Sequence, residues 1–467
     1  MGEYRGLAAD LGARGKRGAM RKGLFRAGVA VLCFLSLCGA GHPQQKSKLR
    51  GYITDPARDN TIRILDDVLT YSSGTDFEME GGGSFSAQDL EVGLLIEAEG
   101  TWSAKHQFTA QKIKCDRDSF DKVIRESVFL SEDPPTAQAA DGTEPFRLRA
   151  DGEILLIGAA GRRSLPTASA GGDSPYIGRR VKYTGTRTAK GEMEVRDTEF
   201  GPPPPADAFE IPGDLKVTEG TDPQTGIAVL EFRKGNKVQG RMKLFPVKKV
   251  QQYVKSLGAQ IIPPGGLKKP FPPLEFRFFV IESEEVNASA LPDGTILVNT
   301  ALLALMDNEA QLAFVLSHEI AHVMQAHVWR QIHETRTKRV LITIAAIAGS
   351  GYIGSLATFL GQIGIAAVVN GYTRKLENQA DRLAVQNLLD LGYNPQEALR
   401  FFRVMTDRYG FRSTSAIWSN HDSMLLRGSF LTVQLRRRFP DADYARARVD
   451  TEDFRAMRAA MGPVKIQ

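Results

Sequence analysis

The sequence predicts a multidomain α+β protein, in which two small all-β, barrel-like modules precede a mainly α-helical domain with a small β-sheet. Three observations lead to this fold class. At 467 residues the chain is too long for one compact core. Residues 48–201 are rich in short β-prone runs broken by Gly, Asp and Ser, whereas helical patterns follow residue 245. The stretch 201–205, one Gly and four Pro, is typical of a stiff linker.

These patterns divide the chain into five predicted segments. They are a targeting segment at 1–45, a first β module at 47–118, a second β module at 146–201, a Pro-rich linker with a short β segment at 202–245, and the helical domain at 246–467.

Residues 1–45 have the organisation of a signal segment. A basic stretch precedes an uncharged apolar run at 27–40, which is too short to span a bilayer, and small residues precede Gly41 as at a cleavage site. Met20 would begin a signal of ordinary length, and Cys38 is an alternative position for lipid attachment. We therefore expect an exported protein, periplasmic or bound to the cell envelope. The basic residues are Arg14, Lys16, Arg17, Arg21, Lys22 and Arg26.

Composition narrows the possible partners. The formal net charge of +6 fits contact with an anionic membrane surface. No basic patch interleaved with aromatic residues is present in the sequence, so we predict no nucleic-acid binding. Of three cysteines, Cys33 and Cys38 fall in the signal segment, which leaves Cys115 without an internal disulfide partner.

The two β modules share a weak internal repeat. The run 92–100 followed by 108–113 matches 177–185 followed by 193–198 at one constant offset of glycines and apolar positions. Alternating apolar residues in both runs predict half-buried strands in barrel-like modules that resemble OB-folds. Because aromatic residues are few, a scaffold or protein-docking role is favoured over nucleic-acid binding.

The stretch His318-Glu319-Ile320-Ala321-His322 is the strongest chemical signal in the chain. It lies on a predicted helix, because 309–338 contains no Gly or Pro and Asn308 is a good N-cap. Residues four apart share a helix face, so both imidazoles can point at one metal ion, with Glu319 beside them as a base. The apolar stripe of this helix is Leu312, Val315, Leu316, Ile320 and Val323.

Glu377 is the candidate for a third ligand. It shares a helix face with Asp381, four residues later, and a second carboxylate can hold a metal-bound histidine by its other N–H group. A solvated acidic helix face is the alternative interpretation.

The region 286–298 predicts a strand, a turn at Pro292-Asp293-Gly294 and a second strand. An edge strand formed by Asn287, Ala288, Ser289 and Ala290 could bind a peptide backbone by β-augmentation. A plain hairpin packed on the active-site helix is an equal alternative.

From about 247 to 431 the chain resembles the HtpX-like and CAAX-prenyl-endopeptidase family of zinc metallopeptidases, and most of all its exported BepA-like members. The resemblance implies a zincin-like domain, one Zn²⁺ per chain on His318, His322 and Glu377, Glu319 as catalytic base and Asp381 behind the ligands. The matching residues are Asn287, Ala288, Pro292, Gly294, Leu302, Leu303, the His318–His322 motif, His327, the runs 372–377, 380–381 and 392–395, and Arg427.

His421 and Arg427 are two further catalytic candidates that the resemblance implies. The family usually carries Thr-His-Pro at this place, but here Asn420-His421-Asp422 lacks the proline. His421 would either occupy the open zinc position at rest or donate to the oxyanion. Arg427 and Tyr372 are the other candidates for that donor.

The uncharged stretch 340–372 is predicted to fold as two short helices in a hairpin beside the active site, because His322 before it and Glu377 after it must reach one metal. This hairpin either is buried in the domain or rests on a membrane surface.

Taken together, these features predict an exported zinc metalloendopeptidase that hydrolyses peptide bonds in protein substrates, in envelope quality control or processing. The alternative is an envelope chaperone or assembly factor with a zinc site and little proteolysis. No oligomeric state is predicted.

Overall fold

The computed structural model describes residues 47–116, 122–128, 146–158, 177–188, 192–263, 274–334, 372–409, 424–439 and 443–466. The predicted signal segment, residues 340–371 of the predicted 340–372 hairpin and the candidate His421 lie outside these residues.

The first sheet has seven strands, between residues 47 and 115. Its path is β1-β6-β7-β4-β3-β2, and β5 lies beside the second half of β7. The β6–β7 pair is an antiparallel hairpin, whereas β4 and β5 run parallel to β7. The strands are β1 (Ser47–Tyr52), β2 (Asp55–Arg58), β3 (Thr61–Ile64), β4 (Asp67–Thr70), β5 (Asp76–Met79), β6 (Leu95–Ala104) and β7 (Gln107–Cys115).

The second sheet has five strands in the order β8-β11-β12-β10-β9. Its central hairpin, β11–β12, is antiparallel and covers the second copy of the predicted repeat, while β10 runs parallel to β12. The sheet begins earlier than the predicted boundary at 146, because β8 pairs with β11. The strands are β8 (Lys122–Val128), β9 (Phe146–Ala150), β10 (Glu153–Ile157), β11 (Arg180–Arg187) and β12 (Met193–Phe200).

The predicted linker holds a third sheet. Its strands β13 (Leu215–Thr221), β14 (Ala228–Lys234) and β15 (Lys237–Lys243) form an antiparallel meander, of which the sequence predicted only the middle strand. A short 3₁₀ helix, Ala206–Phe209, follows the prolines.

The fourth sheet comprises β16 (Arg277–Ile281), β17 (Ala288–Ala290) and β18 (Thr295–Asn299), in the order β16-β18-β17. The antiparallel β17–β18 pair is the predicted hairpin. Its turn requires Gly294, which has φ of +87° and where a Cβ atom would lie 2.8 Å from the Glu275 carbonyl oxygen.

Eight α-helices lie in the described part of the chain. None of its helices is long and apolar enough to cross a membrane. The helices are α1 (Lys248–Ile261), α2 (Thr300–Leu305), α3 (Glu309–Met324), α4 (His327–Glu334), α5 (Arg374–Asp390), α6 (Gln396–Tyr409), α7 (Met424–Arg438) and α8 (Glu452–Met461).

Three hydrophobic cores hold these elements together. The largest contains the inner residues of the second sheet, such as Leu155 and Val181, together with those of α1, α3 and α5. The third sheet packs on the fourth, with Phe232 and Leu297 in one cluster. The first sheet has a core of its own, which Leu425 of α7 completes. The strand-rich first half and helical second half agree with the predicted α+β class, while barrel closure stays a prediction.

Candidate metal centre

Helix α3 places the two predicted histidines in the centre of the protein. The Asn308 side chain accepts a hydrogen bond from the Gln311 backbone N–H at 3.0 Å, which caps the first turn. Every residue of α3 is buried, because apolar residues surround the helix on all faces. His318 and His322, one turn apart, therefore point from a fixed helix into a solvent-excluded space.

Glu377, in the first turn of α5, meets both histidines. Its carboxylate oxygens lie 3.6 Å from Nε2 of His318 and 3.6 Å from Nε2 of His322, and the two Nε2 atoms are 2.9 Å apart. Ligand atoms about 2.1 Å from a tetrahedral Zn²⁺ would be about 3.4 Å apart, so these separations suit one such ion after small side-chain shifts. Two imidazoles and one carboxylate are also the donor set of catalytic zinc sites.

Asp381 and Arg427 lie behind His318. Asp381 Oδ1 is 3.0 Å from Nδ1 of His318, and Arg427 donates to both oxygens of Asp381 at 2.9 and 2.7 Å. Burial alone would lower the pKa of Arg427, but the carboxylates of Asp381 and Glu377 raise it. The guanidinium thus stays charged, and Asp381 can hold His318 with Nε2 directed at the metal position.

His327, at the start of α4, lies behind the other histidine. Its Nδ1 is 2.8 Å from Nδ1 of His322, and its Nε2 is 2.9 Å from the Gln379 side-chain oxygen. Burial and the neighbouring guanidinium of Arg330 lower the pKa of His327 well below its usual range. A neutral His327 can therefore donate from one nitrogen and accept with the other.

Tyr372 covers the face of His322. Their rings stack with centroids 4.1 Å apart at an interplanar angle of 26°. Burial, together with the negative charges of Glu319 and Glu377, raises the pKa of Tyr372 well above its ordinary value. The phenol therefore keeps its proton and can act as a hydrogen-bond donor beside the candidate base.

The edge strand β17 runs beside the site. Ala290 and Leu291 line a cleft of about 10 Å³ together with His322, Tyr372 and Ala208 of the 3₁₀ helix. That space is near the volume of a single water molecule.

A comparison with known protein families shows which family the helical domain belongs to. Residues 248–435 match the model of peptidase family M48. The chain carries an M48 peptidase domain. This family comprises zinc-dependent metallopeptidases, so the resemblance predicted from the sequence is confirmed.

Several proteases are similar to part of the chain. The chain is 28% identical over 221 residues to the "Beta-barrel assembly-enhancing protease" of Escherichia coli, which is 44% of each chain. It is 32% identical over 172 residues to the "Putative beta-barrel assembly-enhancing protease" of Vibrio cholerae, or 35% of this chain and 34% of the relative. The "Mitochondrial metalloendopeptidase OMA1" of Schizosaccharomyces pombe is 30% identical over 146 residues, 31% of this chain and 41% of that protein. The matched region thus spans less than half the length of these relatives.

Within the M48 domain, the structure brings His318, His322, Glu377 and Asp381 together. Arg427 pairs with Asp381 at 2.7 Å and also lies 3.4 Å from a carboxylate oxygen of Glu377. The segment from Asn287 to Ala290 forms the edge of the fourth sheet, and all four residues are buried.

Sequence reasoning assigned no role to three residues of this centre. His327 was only one matching residue of the family pattern, and Gln379 and Asp151 were not singled out. A local signal does exist for the turn that carries Asp151, because Asp-Gly between two β-prone runs is a strong hairpin pattern. Nothing local indicates that the tip of this turn is buried.

Proposed function

We propose that this protein is an exported, zinc-dependent metalloendopeptidase that hydrolyses peptide bonds in protein substrates of the cell envelope. The observation that carries the proposal is the convergence of His318, His322 and Glu377 at one buried point, with Glu319 on the same helix. The names of the relatives, which are proteases, support the same reaction class.

His318, His322 and Glu377 would hold one Zn²⁺ per chain. When bound, zinc supplies Lewis-acid chemistry, since it lowers the pKa of water and polarises a carbonyl group. Asp381 and Arg427 orient His318, which leaves its Nε2 lone pair available. Arg427 has this positioning role because both edges of its guanidinium are turned toward carboxylates of the site.

Glu319 would act as the general base and acid. Its carboxylate takes a proton from the attacking water and delivers it to the leaving amine. Tyr372 is the best-placed donor for the developing oxyanion among the candidates in the described residues, because it lies on His322 and lines the cleft. Residues Asn287–Ala290 would pair with the substrate backbone along the edge of the fourth sheet.

The proposed location rests on the amino-terminal sequence. Its basic stretch and short apolar run support export, and the mildly basic charge is compatible with a membrane surface. Two relatives are named for enhancing β-barrel assembly, which supports a role in envelope protein quality control.

The central test is Glu319→Gln. This change removes the base and keeps the three ligands, so we expect unchanged zinc content by metal analysis and loss of casein cleavage. His322→Ala should lose both zinc and activity. Casein cleavage by Glu319→Gln at the wild-type rate would refute the mechanism, and a wild-type protein that binds zinc without cleaving any substrate would favour the chaperone alternative.

A second variant tests the oxyanion donor. Tyr372→Phe keeps the ring on His322 and removes the hydroxyl, so kcat should fall by roughly a hundredfold while zinc content stays at one per chain. An unchanged kcat would remove Tyr372 from this role.

A further inference from the structure

The hairpin β9–β10 of the second sheet ends inside the protein. Its two-residue turn, Asp151-Gly152, has φ of +57° and +66°, as in the tight turns that join adjacent strands. Turn tips of this kind normally face solvent, yet Asp151 is only 1% exposed. The carboxylate of Asp151 is held in place by Arg382 of α5, which donates from Nη2 at 2.5 Å and from Nε to the Asp151 carbonyl oxygen at 3.2 Å.

The orientation of the Gln379 amide follows from its neighbours. Its Nε2 donates to Asp151 Oδ1 at 2.5 Å and to the Glu126 carbonyl oxygen of β8 at 3.0 Å. Its Oε1 accepts from Arg330 at 2.7 Å. Because carboxylate and carbonyl oxygens only accept and a guanidinium only donates, a flipped amide would lose all three bonds.

That orientation fixes the protons on both histidines. Gln379 Oε1 accepts from His327, so the His327 proton lies on Nε2. With its proton on Nε2 directed at Gln379, His327 presents the Nδ1 lone pair to His322, whose Nδ1 donates across the 2.8 Å contact. His322 is thereby held in the tautomer whose Nε2 lone pair points to Glu377 and the metal position.

We propose that the second β-sheet is part of the metal centre, in which Asp151 acts through Gln379 and His327 as a positioning residue for the ligand His322. This inference rests on the proposed function only in taking His322 as a zinc ligand. It gives the two zinc histidines separate supports: Asp381 with Arg427 holds His318, and the β9–β10 turn holds His322.

The packing around the Asp151-Gly152 turn supports its role in positioning His322. A Cβ atom at Gly152 would lie 2.7 Å from the Arg382 carbonyl oxygen, so the turn touches α5 directly. A second buried contact fixes β8, where Gln325 accepts from the Val128 N–H at 2.7 Å and donates to the Val128 carbonyl at 2.9 Å. Gln325 directly follows the α3 helix that carries His322.

The test measures zinc affinity in the full-length protein, by competition with a chromophoric chelator. His327→Leu removes the acceptor and should weaken zinc binding by roughly ten- to a hundredfold. His327→Asn, whose side-chain oxygen can accept from His322, should restore most of that loss. Asp151→Ala should weaken zinc binding by roughly tenfold.

Asp67→Ala is the matched control. Asp67 is also 1% exposed and also bonds a histidine, His106, at 2.7 Å, but it belongs to the first sheet. Both alanine variants should lower the unfolding temperature of the apo-protein, yet only Asp151→Ala should weaken zinc binding and alter the visible spectrum of Co²⁺-substituted protein.

Equal zinc affinities for the Asp151→Ala and Asp67→Ala proteins would overturn the inference, as would a His327→Asn protein no better than His327→Leu. Either result leaves the Glu319→Gln test untouched. Conversely, a wild-type protein that cleaves nothing but follows the expected order of zinc affinities would refute the proposed activity and keep the inference.

Discussion

The first and second sheets contain related hairpins but differ in how they join the peptidase domain. The first sheet encloses its own core and also packs on α7 along β1, where the Tyr52 N–H donates to Ser429 Oγ at 3.0 Å and the Tyr52 ring lies against Phe430. The second sheet shares the large core of α3 and α5 and sends Asp151 toward the metal position. The first is thus joined to the M48 domain through α7, whereas the second contributes Asp151 to the hydrogen bonds behind His322. Two sheets with similar strand patterns can therefore differ in whether they support the metal site.

Truncation should give the largest difference between the two sheets. A chain that starts at residue 206 loses the second sheet, and its exposed core should prevent cooperative unfolding and zinc binding. A chain that starts at residue 117 loses the first sheet and should keep zinc binding, while its unfolding temperature falls because α7 loses its contacts with β1. Thermal unfolding and zinc titration of the two truncated proteins would check this. Equal unfolding and equal zinc binding of the two truncated proteins would show that the two sheets do not differ in how they support the domain.

Gln325→Ala should have the next largest effect. It removes the side-chain acceptor of the buried Val128 N–H and one of two side-chain donors to the Val128 carbonyl, which keeps the Ser127 hydroxyl, at a cost of about 3 kcal/mol in unfolding free energy. The counterpart in the first sheet is Ser429→Ala, which removes one hydrogen bond to Tyr52 and should cost about 1 kcal/mol. Urea unfolding of both variants measures the contrast, and the reverse order would show that the first sheet is the more tightly attached.

How much of this arrangement the sequence predicts depends on how far apart the interacting residues lie along the chain. His318 and His322 follow from a four-residue spacing on one helix, and Glu377 with Asp381 follows from the same rule. The roles of Asp151 and Gln379 depend on a contact between residues 228 positions apart, for which no periodicity exists. The same limit hid the pairing of β8 with β11 and the sheet inside the predicted linker, because strand alternation indicates a buried face but not its partner. The sequence predicted Arg427 near the site, but its direction, toward Asp381, needed the structure.

Gly152→Ala should have an intermediate effect. A side chain at positive φ is strained, and its Cβ would press on the Arg382 carbonyl, so we expect a loss of about 2 kcal/mol in unfolding free energy and weaker zinc binding. Gly235→Ala in the third sheet is the control, since φ is +55° there with nothing within 4 Å of the new atom. It should cost about 1 kcal/mol and leave zinc affinity unchanged. Equal zinc affinities would argue that the buried turn is only a packing contact.

Arg436→Ala should have the smallest effect. Arg436 donates to the Thr54 carbonyl at 2.6 Å and pairs with Asp55 at 3.0 Å, but both charged side chains are more than a third exposed. An exposed pair of this kind contributes about 1 kcal/mol or less. The unfolding temperature should fall slightly and zinc affinity should stay the same, whereas a large loss would show that the first sheet supports α7 more than its contacts suggest.

The wide sequence separation of the metal-centre contacts also has a consequence for folding order. Val128 and Gln325 are 197 positions apart, and His318 and Arg427 are 109 apart. Contacts between such distant residues form late, because the intervening chain must lose its freedom first. A newly made chain therefore completes its candidate metal centre only when both its early strands and helix α7 are in place. We expect a partly folded chain to bind zinc weakly.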